Sequence, residues 1–115
     1  MAPLDFDTTL SGAGDALISL SGELDLSGAP ALDEEIGRLA AREDVRRVVL
    51  DLRSLAFLDS SGLRVVAIAA RRLTAGGRAL TLVRGSETVQ RVFEITRMAD
   101  QLDFVDSPPN GFAPS

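Results

Sequence analysis

The sequence predicts a single α/β domain: a mixed sheet of four to five strands in the order β-β-α-β-α-β-α, whose opening hairpin adds an antiparallel edge strand. Three observations lead there. Val48, Val49, Leu50 and Leu52 make a short apolar run rich in β-branched residues, as a strand in a covered sheet has. From Leu63 the apolar residues Leu63, Val66, Ala67, Ala70 and Leu73 recur at helical spacing, with Arg64, Arg71 and Arg72 on other faces. Two alternating segments flank the Gly-rich stretch 11–15 and read as a hairpin. Strands that alternate with helices imply a mostly parallel sheet joined by right-handed crossovers.

In chain order, Leu4 to Leu10 alternates weakly and reads as an edge strand. Ser11-Gly12-Ala13-Gly14-Asp15 is a turn, and Ala16 to Ser21 returns with Ala16, Ile18 and Leu20 on one face. Gly22-Glu23-Leu24-Asp25 then leaves the sheet. Ser27 or Gly28 caps a first helix with Pro30 in its first turn, buried through Leu32, Ile36, Leu39 and Ala40. The central strand and the second helix follow, and Gly76-Gly77 ends that helix. Arg78 to Val83 is a further strand. Ser86 caps a third helix with Val89, Val92, Phe93 and Ile95 as its buried side. Met98 to Phe104 is a short helix or loop before a last strand near Phe104-Val105. The domain spans 1–106. Ser107-Pro108-Pro109-Asn110-Gly111 cannot continue regular structure, so 107–115 is expected to be a disordered tail.

Composition narrows the function. The 115 residues carry a net charge of −5, which argues against direct binding of nucleic acid or anionic membrane surfaces. The chain has no Cys, its first residues do not read as a signal peptide, and no apolar stretch is long enough to span a bilayer, so the cytoplasm is the expected compartment. There is no His, so no Ser-His-Asp triad, and with neither His nor Cys a transition-metal site is not expected. All twelve basic residues are Arg, which excludes a P-loop or Schiff-base Lys. Gly12-Ala13-Gly14 resembles the start of a dinucleotide fingerprint, but a strand follows it and the third Gly is missing. Asp25, Asp51 and Asp59 fall at or near carboxyl ends of strands, where α/β sheets gather ligands. They could form an acid/base pair or hold Mg²⁺, or simply cap turns, the reading preferred for Asp51.

The strongest helix-start signal is Asp59-Ser60-Ser61-Gly62, between the central strand and the second helix. Asp59 and Ser60 are both good N-caps, and first-turn amides have no partner inside a helix. A phosphate on a hydroxyl here would meet free N–H groups and the positive end of the helix dipole. The plain alternative is a capped helix and nothing more.

Gly22-Glu23-Leu24-Asp25, Val48 to Leu52 and Phe57-Leu58-Asp59-Ser60-Ser61-Gly62-Leu63, in this order and spacing, resemble the anti-sigma factor antagonists of the bacterial STAS domain family. The resemblance covers about residues 4 to 105. Arg64 stands where a small residue is common. The resemblance implies a binding protein, not an enzyme, without cofactor. It implies that Ser60 is the phosphorylated serine, with Ser61 the secondary site, and that Asp25, Asp59, Ser60, Ser61, Gly62, Leu63 and Arg64 meet the partner. Asp59 would shape the turn, Asp25 would lie close to it, and Gly62 would let a partner's backbone approach. The partner implied is an anti-sigma factor with serine kinase activity. It binds the unphosphorylated form and releases its sigma factor, and a serine phosphatase resets the cycle. A monomer is expected for the free chain. Two alternatives stay open: a STAS interaction module of another pathway, with a stressosome-type or lipid-transport partner, and a weak nucleotide-binding domain.

Overall fold

A computed structural model describes residues 2–109 and 112. The elements are β1 (Asp5–Leu10), β2 (Asp15–Leu24), α1 (Ala29–Ala40), β3 (Arg47–Leu58), α2 (Ser60–Ala75), β4 (Ala79–Val83), α3 (Glu87–Ile95), a 3₁₀ turn (Met98–Gln101) and β5 (Asp103–Val105). They build one five-stranded sheet in the order β1-β2-β3-β4-β5. β1 is antiparallel to β2, and the later pairs are parallel.

Each parallel connection moves one strand in the same direction, so right-handed crossovers place the helices on one face. The main core lies there. Ile18, Leu20, Leu50, Leu52 and Leu82 pack with Leu32, Ile36 and Leu39 of α1, Val66 and Leu73 of α2, and Val89 and Phe93 of α3. Strand alternation turns Leu17, Val49 and Val83 to the opposite face, where they form a separate cluster with Val105 and Phe112. Helices therefore cover one face of the sheet. Val49 is still fully buried. Beside it the Arg47–Asp15 and Arg53–Asp51 ion pairs close at 2.9 and 2.8 Å, and Arg stems can shield apolar surface while their heads stay wet. Asn110, Gly111 and 113–115 of the expected tail lie outside the described residues.

The elements depart from the sequence reading in four places. Gly22 to Leu24 stay in the sheet, because at the register shifts Ser19/Ser21 and Gly22/Glu23 β3 carries an extra residue each time, and the bulged β3 keeps pairing with β2 as far as Leu24↔Leu58. β3 is correspondingly longer than its apolar run, so Asp51 sits mid-strand and not at a strand end. The buried side of α2 is Leu63, Val65, Val66, Ala69 and Leu73; Ala67 and Ala70 are partly exposed, since the helix leans on α1 as well as on the sheet. Ile95 is 74% exposed. It lies two residues past the buried Phe93, which at about 100° per residue carries it to the far side of the helix.

Candidate functional site

The site grows from the ends of two neighbouring strands. β2 and β3 run side by side to Leu24 and Leu58, past the point where β4 stops pairing at Asp51. Beyond Leu58 the chain turns into α2. The Asp59 N–H donates to the Leu24 carbonyl at 3.2 Å, so the turn is clamped to the end of β2.

Asp59 is the N-cap of α2, in extended backbone conformation. Its Oδ1 accepts from the Ser61 N–H at 2.9 Å and the Gly62 N–H at 3.2 Å, and its carbonyl accepts from Leu63 at 3.0 Å. A cap of this kind is worth about 1 kcal/mol. The arrangement corrects one expectation. Two first-turn amides expected to be open to a phosphate are already held by the Asp59 carboxylate, which also offsets the positive helix end.

Ser60 occupies the first helical position and is exposed. Among the described residues its Oγ makes no hydrogen bond. Ser61, next to it, is half-buried. Gly62 is buried. A Cβ there would stand 2.8 Å from the Leu24 carbonyl oxygen, 2.9 Å from Leu24 Cγ and 3.1 Å from Leu58 Cβ. Within this chain, a close approach that requires glycine is made by Leu24 of β2. Leu63 is likewise directed inward, at 8% exposure, so it offers a partner little side-chain surface. Arg64 is exposed.

Asp25 follows directly on Leu24 and turns its carboxylate onto its own loop. Oδ1 accepts from Ser27 Oγ at 2.7 Å, from Ser27 N at 3.0 Å and from Gly28 N at 3.4 Å. The Ser27 hydroxyl, ahead of the Ser27 and Gly28 amides, holds the Asp25 carboxyl below the usual carboxylate range. Gly28 is the N-cap of α1 without a side-chain cap, so Asp25 takes over the capping expected of Ser27 or Gly28. Asp51 accepts from Arg53 through Nε, Nη2 and the backbone N–H. The three carboxylates thus serve three separate partners. Among the described residues no cluster of His, Cys, Asp and Glu is arranged to hold a metal ion. A shallow groove between α2 and the 3₁₀ turn, lined by Ala67, Ala70, Arg71, Thr74, Met98 and Leu102, contains none of them.

Two residues at the turn were not read as site residues from the sequence. Leu26, next to Asp25, is 74% exposed, and Phe57, two residues before Asp59, is 42% exposed. Their signal was a large apolar residue with no place in any period. Together with Ser60 and Arg64 they give this end of the molecule a hydroxyl, a cation and two apolar contacts. Such a mixture suits a protein partner better than a small ligand.

The sequence profile of the STAS domain matches residues 9–109. Over 75 residues the chain is 36% identical to the anti-sigma-F factor antagonist RsfB of Mycobacterium tuberculosis, a match covering 65% of this chain and 61% of that protein. Over 89 residues it is 32% identical to the anti-sigma-B factor antagonist of Bacillus subtilis, covering 77% and 80%. The crystal structure of an anti-sigma factor antagonist from Mycobacterium paratuberculosis superposes with a TM-score of 0.79 at 25% identity, over 90% of this chain and 86% of that one. Among the described residues no helix is long and apolar enough to cross a membrane.

Proposed function

This chain belongs to the STAS domain family, and we propose that it is an anti-sigma factor antagonist whose Ser60 turn docks an anti-sigma factor with serine kinase activity. The docked anti-sigma factor lets go of its sigma factor. Phosphorylation of Ser60 by the kinase ends the complex, and a serine phosphatase restores it. In this reading the chain is a binding partner and a kinase substrate, not an enzyme.

One observation carries the reading. The Ser60 hydroxyl stands exposed and unengaged at the first position of α2, on a helix that Asp59 already caps. It is free to enter a kinase active site, and modifying it breaks no bond of the fold. The relatives' names agree with an antagonist.

The same geometry supplies a switch. A phosphate adds about −1.5 to −2 charges and three acceptor oxygens. On Ser60 it would find the Ser61 and Gly62 amides committed to Asp59, whose carboxylate repels it. The phosphate then stays at the surface, in the space a partner fills. An interface fitted to a neutral hydroxyl meets bulk and unpaired charge, at a cost on the order of several kcal/mol. Leu26, Phe57 and Arg64 stay as they are. The switch acts by excluding the partner, with no rearrangement of the sheet.

The test is intact mass after incubation with a serine-kinase anti-sigma factor that binds the chain, with Mg-ATP, for wild type, Ser60→Ala and Ser61→Ala. One phosphate is expected on wild type and Ser61→Ala and none on Ser60→Ala, and the phosphorylated chain should bind about a hundredfold more weakly or worse. Loss only in Ser61→Ala would move the site. No phosphate from a kinase that binds would overturn the phosphoswitch.

A further inference from the structure

The loop that carries Asp25 is held by residues 2–4, which lie outside the family motifs. The Glu23 N–H donates to the Ala2 carbonyl at 3.1 Å. Gly22 has φ +82°, and a Cβ on it would stand 2.2 Å from the Pro3 carbonyl oxygen and 2.9 Å from its carbon. Gly28, on the other side of Asp25, would put a Cβ 2.7 Å from Leu4 Cβ. Leu4 itself packs against the main core. Two glycines flanking one functional loop are thus both spaces cleared for residues 2–4.

The contacts continue inward to the turn. Gly22 and Glu23 lead to Leu24, whose carbonyl takes the Asp59 N–H at 3.2 Å and lies against Gly62. The Gly28 N–H is tied to Asp25 through both the Asp25 carbonyl and its carboxylate, at 3.2 and 3.4 Å. We infer that Ala2–Leu4 form a strap that positions the Ser60 turn by fixing Leu24 and Asp25 from outside. Its functional meaning rests on the reading of the turn as the partner surface. Leu4 is a positioning residue in this scheme, acting through Leu24 on Asp59.

Amide hydrogen exchange by NMR on the full chain tests it, on wild type, Leu4→Ala, Leu4→Met and Gly28→Ala, paired with titration of the anti-sigma factor. Gly28→Ala suits the Gly28 backbone, at φ −93°, and crowds Leu4 without removing any side-chain atom from the core. In Leu4→Ala and Gly28→Ala the Glu23 and Asp59 amides are expected to exchange about tenfold faster, with Val49 and Leu82 unchanged and Leu4→Met close to wild type. Affinity for the anti-sigma factor should fall by a similar factor. Unchanged exchange at Asp59 would overturn the strap. So would equal acceleration at Val49 and Leu82, which means general loosening. Faster exchange at Asp59 with unchanged affinity would leave the strap standing and overturn the reading of the turn.

Discussion

Replacing Gly62 by Ala separates two opposed effects in one atom. Inside a helix Ala is preferred over Gly by about 1 kcal/mol, so the backbone alone favours the change. The new Cβ, however, meets the Leu24 carbonyl oxygen at 2.8 Å and Leu24 Cγ at 2.9 Å. That carbonyl cannot retreat freely, because it accepts the Asp59 N–H at 3.2 Å. Overpacking of this kind costs about 1–3 kcal/mol. The net expectation for Gly62→Ala is a loss of up to about 2 kcal/mol, or up to about 10 °C in Tm for a domain of this size. Gly37 is the control. It also lies within a helix, but its Cβ would meet only the end of the Arg72 side chain, Nη1 at 2.9 Å. Arg72 can swing away, giving up a 3.8 Å pair with Asp33 between two exposed groups, which contributes little. Gly37→Ala should therefore gain up to about 1 kcal/mol. Urea unfolding with unchanged m-values reads both. If the two substitutions shift stability in the same direction, the account of Gly62 as a packing glycine is wrong.

Glu35 governs part of the acid limb of stability. The Arg38 guanidinium, with help from the Thr8 hydroxyl, holds its carboxyl below 4.5 against the opposing effect of burial. A depressed pKa gives stability that is complete above the unfolded value and is lost as pH falls through the folded one. Glu35→Gln should flatten the stability profile below about pH 4.5, and a profile parallel to wild type would refute this. Phe93 is fully buried and meets Phe104 edge-on, with ring centroids 5.2 Å apart. Phe93→Ala should cost about 3–5 kcal/mol and detach β5 from α3, read by urea unfolding and by exchange of the Val105 amide; a loss below about 1 kcal/mol would show that the two rings do not join β5 to the core.

The strand and helix order was legible because Val48–Leu52 is a short β-branched apolar run, whereas apolar residues recur at helical spacing from Leu63 to Leu73. The turn was legible because Asp59, a good N-cap, stands between the two patterns. What stayed hidden depended on contacts between distant residues. Nothing local tells that Gly22 stays in the strand at φ +82° under Pro3, so β2 was ended three residues early. That Gly62 also makes room for Leu24 shows only in the packed structure. The exposure of Leu26 and Phe57 was masked by their type, because an apolar residue beside a strand end is ordinarily assigned to the core.

β3 runs on to Leu58 while its pairing with β4 ends at Asp51, so the last part of β2 and β3 stands beyond the rest of the sheet with the Ser60 turn at its tip. The extra length of β2 and β3 separates the Ser60 turn from the β4–β5 side of the sheet. Under the proposed function, a partner can engage the hydroxyl at one end of the sheet while β4 and β5 stay clear of it.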